Sequence, residues 1–182
     1  MAPIDEGVKP PNRSESFMEI RLLKRGEEVA CEGILRALPD WFGIEEGIAH
    51  YVKALSSMET WVLETESGIA GFLTLHPYGN SAADVYVMAV SPSMRDQGLG
   101  RRLMQHAESI LRDRGVEFMQ VKTLAPSRPS KAYARTRGFY LKMGFRPLEE
   151  NKLWGEKNPC LIMVKHLPCQ KPEGIKGEAK LG

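Results

Sequence analysis

Apolar residues follow two different spacings along the chain, and these spacings predict which segments are helices and which are strands. Between Ile44 and Leu55, apolar side chains recur three and four positions apart, which is typical of an amphipathic helix. Compact apolar runs bounded by Gly, Pro and Asn are typical of strands. The pattern predicts strands at 18–23, 61–64, 69–76, 83–90, 117–124, 146–151 and 160–166, and helices at 27–38, 44–55, 131–143 and between Pro92 and Gly115.

The order of these predicted elements indicates the class of fold. The order is β-α-α-β-β-β-α-β-α-β-β, and the short turn before Ile69 predicts that the second and third strands form a hairpin. The β-α-β stretch at 83–124 needs a parallel strand pair with a right-handed crossover. The sequence therefore predicts an α/β fold with a mixed sheet.

Composition and charge exclude some classes of protein and indicate the bounds of the folded domain. The 182 residues carry a net charge of +2, which is too weak to predict a nucleic-acid surface. The apolar runs are too short to cross a membrane. Polar, Pro-rich ends predict flexible tails at 1–17 and 168–182 around one domain at 18–167. The first residues lack the basic and then apolar pattern of a signal peptide, so we expect a cytoplasmic protein.

The cysteines and histidines do not form a recognisable metal or disulfide pattern. Cys31, Cys160 and Cys169 are widely spaced and lack a C-x-x-C pair. The four histidines show no spacing typical of metal ligands. We therefore expect no metal, and we expect each cysteine to act as a small apolar residue or to lie in a tail.

One segment combines a strand, a tight turn and a helix in a way that suits a phosphate. The apolar run that ends at Val90 is followed closely by a predicted helix whose first turn contains Gly98 and Gly100. A helix N-terminus exposes unpaired amides, and glycines let an anion approach the backbone. The segment matches neither the P-loop nor the complete G-x-G-x-x-G pattern. A packing role for these glycines at the helix start is the alternative.

Two motifs in this context resemble those of the GCN5-related N-acetyltransferase (GNAT) superfamily. The first is [QR]-x-x-G-x-[GA], which is Arg95-Asp96-Gln97-Gly98-Leu99-Gly100 in this chain. The second is F-Y-x-x-x-G-F at residues 139–145, and the element order matches as well. The resemblance implies a twisted, mostly antiparallel sheet of about seven strands, with about four helices and a parallel fourth and fifth strand that splay apart.

The resemblance also implies acetyl-CoA as co-substrate, bound where the fourth and fifth strands separate. The backbone of Met88, Ala89 and Val90 would hold the pantetheine arm. Backbone amides of the following turn would hold the pyrophosphate, namely those of Arg95, Asp96, Gln97, Gly98, Leu99, Gly100, Arg101 and Arg102. The side chains of Arg101 and Arg102 would add positive charge, or else form a solvated basic patch.

Two side chains would carry the chemistry that the resemblance implies. Tyr140 occupies the position of the acid that protonates the departing thiolate, although it could simply pack beside Phe139 and Phe145. Asp84 aligns with a glutamate base and would act through water, because it is one methylene shorter. It could instead bond to the Ser81 turn or to solvent. Met88 would offer its amide to the acetyl oxygen.

The acceptor side of the site is less well defined by the sequence. Trp41 and Phe42 lie between the first two helices and could line an acceptor pocket, or one of them could staple the second helix. Trp154 presents the same ambiguity. Tyr133 stands where family members often carry an asparagine that contacts the cofactor, so that contact is in doubt.

The resemblance implies an acetyl-CoA-dependent N-acetyltransferase that modifies an amine by direct attack on the thioester. The acceptor would be a small molecule or a protein amino group, and the protein a monomer or homodimer. The alternatives are a non-catalytic CoA-binding regulatory module on the same fold and an acyltransferase that uses a longer acyl-CoA.

Overall fold

Residues 17–168 are described by a computed structural model, in which seven strands form a single sheet in the order β1-β2-β3-β4-β5-β7-β6. The strands are β1 (Met18–Leu22), β2 (Glu59–Thr65), β3 (Gly68–Tyr78), β4 (Ala82–Val90), β5 (Phe118–Leu124), β6 (Arg146–Asn151) and β7 (Cys160–His166). The helices are α1 (Glu28–Arg36), α2 (Glu45–Ser57), α3 (Leu99–Asp113) and α4 (Lys131–Lys142), and a short 3-10 turn covers Pro92–Met94. The tails predicted at 1–17 and 168–182 lie outside the described residues, apart from Phe17 and Pro168.

The predicted order of elements and the predicted strand pairing are confirmed. Strands β2 and β3 form the expected hairpin, and β4 and β5 are the parallel pair. The other neighbouring strands of the sheet are antiparallel. The observed ends of the elements mostly differ from the predicted ones by one or two residues, because apolar spacing marks the buried face of an element and not its last hydrogen bond.

Two layers of helices cover the sheet, one on each face. Successive strand residues point to opposite faces, so Phe72 packs with α1 and α2 while Leu73 packs with α3. Cys31 is buried with Phe72, and Cys160 is buried at the start of β7, as expected for small apolar residues. Cys169 lies outside the described residues. The core therefore sits on both sides of the central strands.

Strands β4 and β5 separate part-way along their length. They pair only from Ala82 to Val85 on β4, although β4 continues to Val90. Tyr86 is an extra residue in the pairing of β4 with β3, since Val85 and Val87 face consecutive β3 residues. Such a bulge bends the strand that carries it, which explains why pairing with β5 ends at this point. The predicted splay is confirmed.

Candidate active site

The separation of β4 and β5 opens a cleft of about 1210 Å³. Its walls come from the β4 backbone, the start of α3, the whole length of α4, and the loop that joins α1 to α2. The part of the chain that the structure describes contains no group of His, Cys, Asp and Glu arranged to hold a metal ion. No helix in residues 17–168 is long and apolar enough to cross a membrane.

The turn at residues 95–100, called the glycine turn below, forms one end of the cleft. Asp96 and Gly98 have φ angles of 60° and 79°, and this left-handed geometry at Gly98 lets the chain turn directly into α3. The first helical bond runs from the Arg102 amide to the Gly98 carbonyl, so the amides of Leu99, Gly100 and Arg101 have no partner within the helix. The turn therefore presents free amides to the cleft.

Gly100 has a different role from Gly98. A Cβ placed on Gly100 would lie 3.6 Å from the Phe139 ring and 3.9 Å from the Met88 side chain, which are ordinary contacts. The fold alone thus tolerates a small side chain at this position. The missing side chain of Gly100 leaves space above the first turn of α3, on the side that faces the cleft.

Positive charge surrounds this end of the cleft. The arginines that line it are Arg95, Arg101 and Arg135, and Arg135 lies 3.6 Å from the Asp96 carboxylate. Of the predicted cofactor residues, Gln97 and Arg102 do not line the cleft. The Arg102 amide is already bonded to the Gly98 carbonyl, and its guanidinium lies beside the Met18 sulfur. Only the side chain of Arg102 is left to contact the pyrophosphate, and that contact stays a prediction.

Tyr140 lies on α4, where the wall of the cleft meets the core. Its ring centroid is 5.5 Å from that of Phe139 and 5.7 Å from that of Phe145, so the predicted aromatic packing is present. The same residue also lines the cleft. Burial raises the pKa of the Tyr140 hydroxyl well above its ordinary value. The hydroxyl therefore keeps its proton at neutral pH and is a hydrogen-bond donor.

Asp84 is a buried carboxylate on β4 that lines the middle of the cleft. Its Oδ2 accepts hydrogen bonds from the Lys122 ammonium and, at 3.4 Å, from the Tyr78 hydroxyl. Its Oδ1 has no hydrogen-bond partner among the described residues. The alternative that placed Asp84 on the Ser81 turn or in solvent is wrong, because the residue is only 1% exposed and β4 is an internal strand.

Charge and burial shift the pKa values of Asp84 and Lys122 in opposite directions. Burial raises the pKa of Asp84, and the hydrogen bond and charge of Lys122 offset that effect only in part. Burial alone would lower the pKa of Lys122, but its bonds to Asp84 and Tyr78 raise it overall. The Lys122 ammonium is held against one oxygen of the Asp84 carboxyl group. The other oxygen is buried and has no partner among the described residues.

Sequence reasoning missed Lys122, Tyr78 and Thr123. Lys122 interrupts the otherwise largely apolar strand β5 next to the strand that carries Asp84, and this pairing of opposite charges was the available signal. Thr123 lines the cleft from β5, is 1% exposed, and its hydroxyl has no partner among the described residues. For Thr123 the sequence offers no signal, because a threonine is ordinary in a strand.

Trp41 and Phe42 line the cleft from the loop between α1 and α2. Trp41 is fixed to α4 from two sides, since its Nε1 donates to Thr136 Oγ1 at 2.9 Å and its carbonyl accepts from the Tyr133 hydroxyl at 3.1 Å. The Arg95 guanidinium lies 4.4 Å over the Trp41 ring. Phe42 packs edge-on against Tyr51 of α2 at 5.5 Å. Trp41 thus joins the loop to α4 and to the glycine turn.

Tyr133 occupies the position where the sequence departs from the family pattern. The start of α4 is capped by Ser130, whose hydroxyl accepts from the Tyr133 amide. The Tyr133 side chain then reaches across to the Trp41 carbonyl. In this chain the residue holds the loop between α1 and α2, which an asparagine is too short to do in the same way.

Comparison with known proteins identifies the family. The family model for the acetyltransferase (GNAT) domain matches residues 56–147, a stretch that includes β4, the glycine turn and Tyr140. The chain belongs to the GNAT family. The resemblance predicted from the two motifs is confirmed, and this GNAT protein is an acetyl-CoA-dependent N-acetyltransferase.

Individual relatives of this GNAT protein agree with that assignment. An uncharacterized N-acetyltransferase of Chlorobaculum tepidum is 25% identical over 120 residues, which cover 64% of this chain and 68% of the relative. A GNAT-family protein of Desulfovibrio desulfuricans has the same fold, with a TM-score of 0.74, 16% identity, and coverage of 84% and 100% of the two chains. A GNAT-family acetyltransferase from Elizabethkingia anophelis, solved with acetyl-CoA bound, gives a TM-score of 0.63 and 18% identity, with coverage of 82% and 98%.

Proposed function

We propose that the pantetheine arm of acetyl-CoA binds along the free part of β4 and that its pyrophosphate binds at the glycine turn. The observation that carries this proposal is the early end of β4–β5 pairing at Val85, which leaves the backbone of Met88, Ala89 and Val90 without a strand on that side. A pantetheine arm offers amide groups that suit an unpaired strand edge. The amides of Leu99, Gly100 and Arg101 then lie at the end of that edge, where a pyrophosphate needs donors.

Acetyl-CoA brings the acetyl group as a thioester, and the acceptor amine attacks its carbonyl carbon. A C–N bond forms and the C–S bond breaks. An ammonium loses one proton before it attacks and a second as the amide forms, and the second proton goes to the departing thiolate. The Tyr140 hydroxyl, buried and protonated, donates a hydrogen bond to the developing thiolate. Met88 lies on the part of β4 that β5 does not pair with, and this position supports a hydrogen bond from its amide to the acetyl oxygen.

Asp84 receives the proton from the attacking amine, directly or through one water. Its Oδ1 has no partner among the described residues, while Lys122 holds Oδ2 and fixes the direction of the carboxylate. A carboxylate whose pKa is raised by burial is a stronger base than an exposed one. This assignment makes the acceptor a primary amine that enters past Trp41 and Phe42. We assign the catalytic domain to residues 18–167, which contain all of these elements.

Replacing one glycine tests the cofactor site. Gly98→Ala should raise the Kd for acetyl-CoA at least tenfold, about 1.4 kcal/mol, because alanine disfavours the left-handed φ of 79° and shifts the amides of the turn. The matched control is Gly79→Ala, which meets the same backbone strain at φ 64° in the β3–β4 turn, outside the cleft. Calorimetric titration of both variants is the measurement. Equal acetyl-CoA affinity in the two variants would remove the glycine turn from the site.

A second measurement separates enzyme from binding module. Thiol release and mass spectrometry of the product, over a panel of amines, should show acetyl transfer with acetyl-CoA. Binding without release would support the regulatory module, and faster release with a longer acyl-CoA would support the other alternative.

A further inference from the structure

Aromatic side chains form a continuous wall on the acceptor side of the cleft. Phe42 packs against Tyr51 at 5.5 Å, Tyr51 against Tyr86 at 5.9 Å, and His50 lies 6.4 Å from Tyr86. These four residues all line the cleft, and the side chains of Phe42, Tyr51 and Tyr86 are half-buried. The wall comes from the α1–α2 loop, α2 and β4, so its parts lie on three separate elements.

This wall leads to the one buried carboxylate of the cleft. Tyr86 is two residues from Asp84 on the same strand, and Asp84 keeps its Oδ1 without a partner in the described part of the chain. Because that oxygen is buried, a narrow group reaches it more easily than a branched one. A primary ammonium on an unbranched carbon is such a group, and it satisfies the carboxylate with both a hydrogen bond and a charge.

The tyrosine hydroxyls of the wall carry no charge at neutral pH. Burial raises the pKa of Tyr51 to about 12, and burial also raises the pKa of Tyr86, so both hydroxyls stay neutral. Lys122 is already bonded to Asp84 and Tyr78, and its positive charge repels a second ammonium close to the first. The other carboxylates that line the cleft, Glu46 on α2 and Asp96 on the glycine turn, are both exposed. A polycation therefore finds one buried anionic partner, and the tyrosine hydroxyls of the wall offer it no further charge.

We propose that the acceptor is a primary monoamine carrying one aromatic ring, whose ammonium meets Asp84 Oδ1 while the ring packs on Phe42, Tyr51 and Tyr86. An aromatic ring packs edge-to-face on such a wall and removes apolar surface from water on both sides. An ammonium beside aromatic faces is further stabilised by cation–π attraction. This inference rests on the proposed function, since it uses the same cleft and the same carboxylate.

A panel of amines tests the acceptor class. We expect kcat/KM for 2-phenylethylamine to exceed that for propylamine about 30-fold, the size expected when a ring is partly buried. Spermidine and a peptide with a free N-terminal alanine should both be slower than 2-phenylethylamine. If propylamine, spermidine or the peptide is the fastest acceptor, the aromatic class is wrong although the acetyltransferase assignment stands.

A wall variant connects the preference to the residues named. Tyr51→Leu should lower kcat/KM for 2-phenylethylamine about 10-fold and change that for propylamine less than threefold, because only the ring contact is lost. The matched control is Phe118→Leu, since Phe118 is an aromatic residue exposed on β5 outside the cleft. An equal loss for both amines would show that Tyr51 supports the fold and does not select the ring.

A binding measurement covers the case in which no amine of the panel is acetylated. 2-Phenylethylamine should bind the protein saturated with CoA, and Tyr51→Leu should weaken that binding. No binding in the presence of CoA overturns the aromatic acceptor, whereas a failure of acetyl-CoA itself to bind overturns the proposed function first.

Discussion

Removing the positive charge of Lys122 should move the pH dependence of catalysis. In Lys122→Met the aliphatic stem is kept, but Asp84 loses the cation that its Oδ2 now contacts. Burial already raises the pKa of Asp84, and Lys122 opposes that rise, so the substitution raises the pKa further. An opposite charge at contact distance is typically worth about 1–3 pKa units.

The sign of the effect follows from the role assigned to Asp84. A base works only when ionised, so the acid limb of kcat/KM should shift about 1–3 units to higher pH in Lys122→Met. The activity lost near neutral pH should return as the pH rises. Lys122→Arg keeps the charge and should leave the limb within about half a unit.

A matched control separates this effect from a loss of stability. Lys165 pairs with another buried carboxylate in the described part of the chain, that of Glu108 on α3, and neither residue lines the cleft. Breaking a buried pair typically costs about 3–5 kcal/mol of unfolding free energy, so Lys165→Met should lower the Tm, but by less than Lys122→Met because Glu108 keeps its ion pair with Arg112. Only Lys122→Met should shift the pH profile. An unchanged acid limb in the folded Lys122→Met protein would refute the assignment of Asp84 as the base.

Three further substitutions address single contacts in the cleft. Tyr140→Phe should lower kcat about 100-fold with little change in KM for acetyl-CoA, since only the hydroxyl that meets the developing thiolate is removed; steady-state kinetics in which kcat stays within threefold would exclude that role. Thr123→Val should change kcat/KM more than fivefold if its unpartnered hydroxyl bonds a reactant, whereas a purely structural threonine would change Tm alone. Thr136→Val removes the acceptor of the Trp41 indole and should raise KM for the amine more than KM for acetyl-CoA, and the opposite order would contradict the position of Trp41 on the acceptor side.

The sequence predicted the elements well because the fold has strong local periodicity. The apolar stripe of α2 and the short apolar runs of β3 and β4 each report which side of an element is buried. The parallel pairing of β4 and β5 followed from the β-α-β order alone. The motifs pointed to Tyr140 and the glycine turn, and both line the cleft.

Local periodicity could not predict contacts between segments that are far apart in the sequence. Trp41 and Thr136 are 95 positions apart, and nothing local indicates that their side chains meet. The direction of the Arg102 side chain could not be predicted for a different reason. Neighbouring residues on a helix point about 100° apart, so Arg101 can face the cleft while Arg102 faces Met18, and the start of α3 decides which of them does so.

The stacking of Arg95 on Trp41 makes the two halves of the cleft thermodynamically dependent on each other. Arg95 belongs to the glycine turn, and the Trp41 ring that it covers belongs to the acceptor loop. A dianion on the turn that draws the guanidinium away from the ring changes the free energy of the loop, and with it the affinity for the amine. Linkage requires the reverse to hold by the same factor, so an acceptor that displaces Trp41 alters the affinity for the cofactor equally. The affinities for the two substrates are thereby coupled through one cation–aromatic contact.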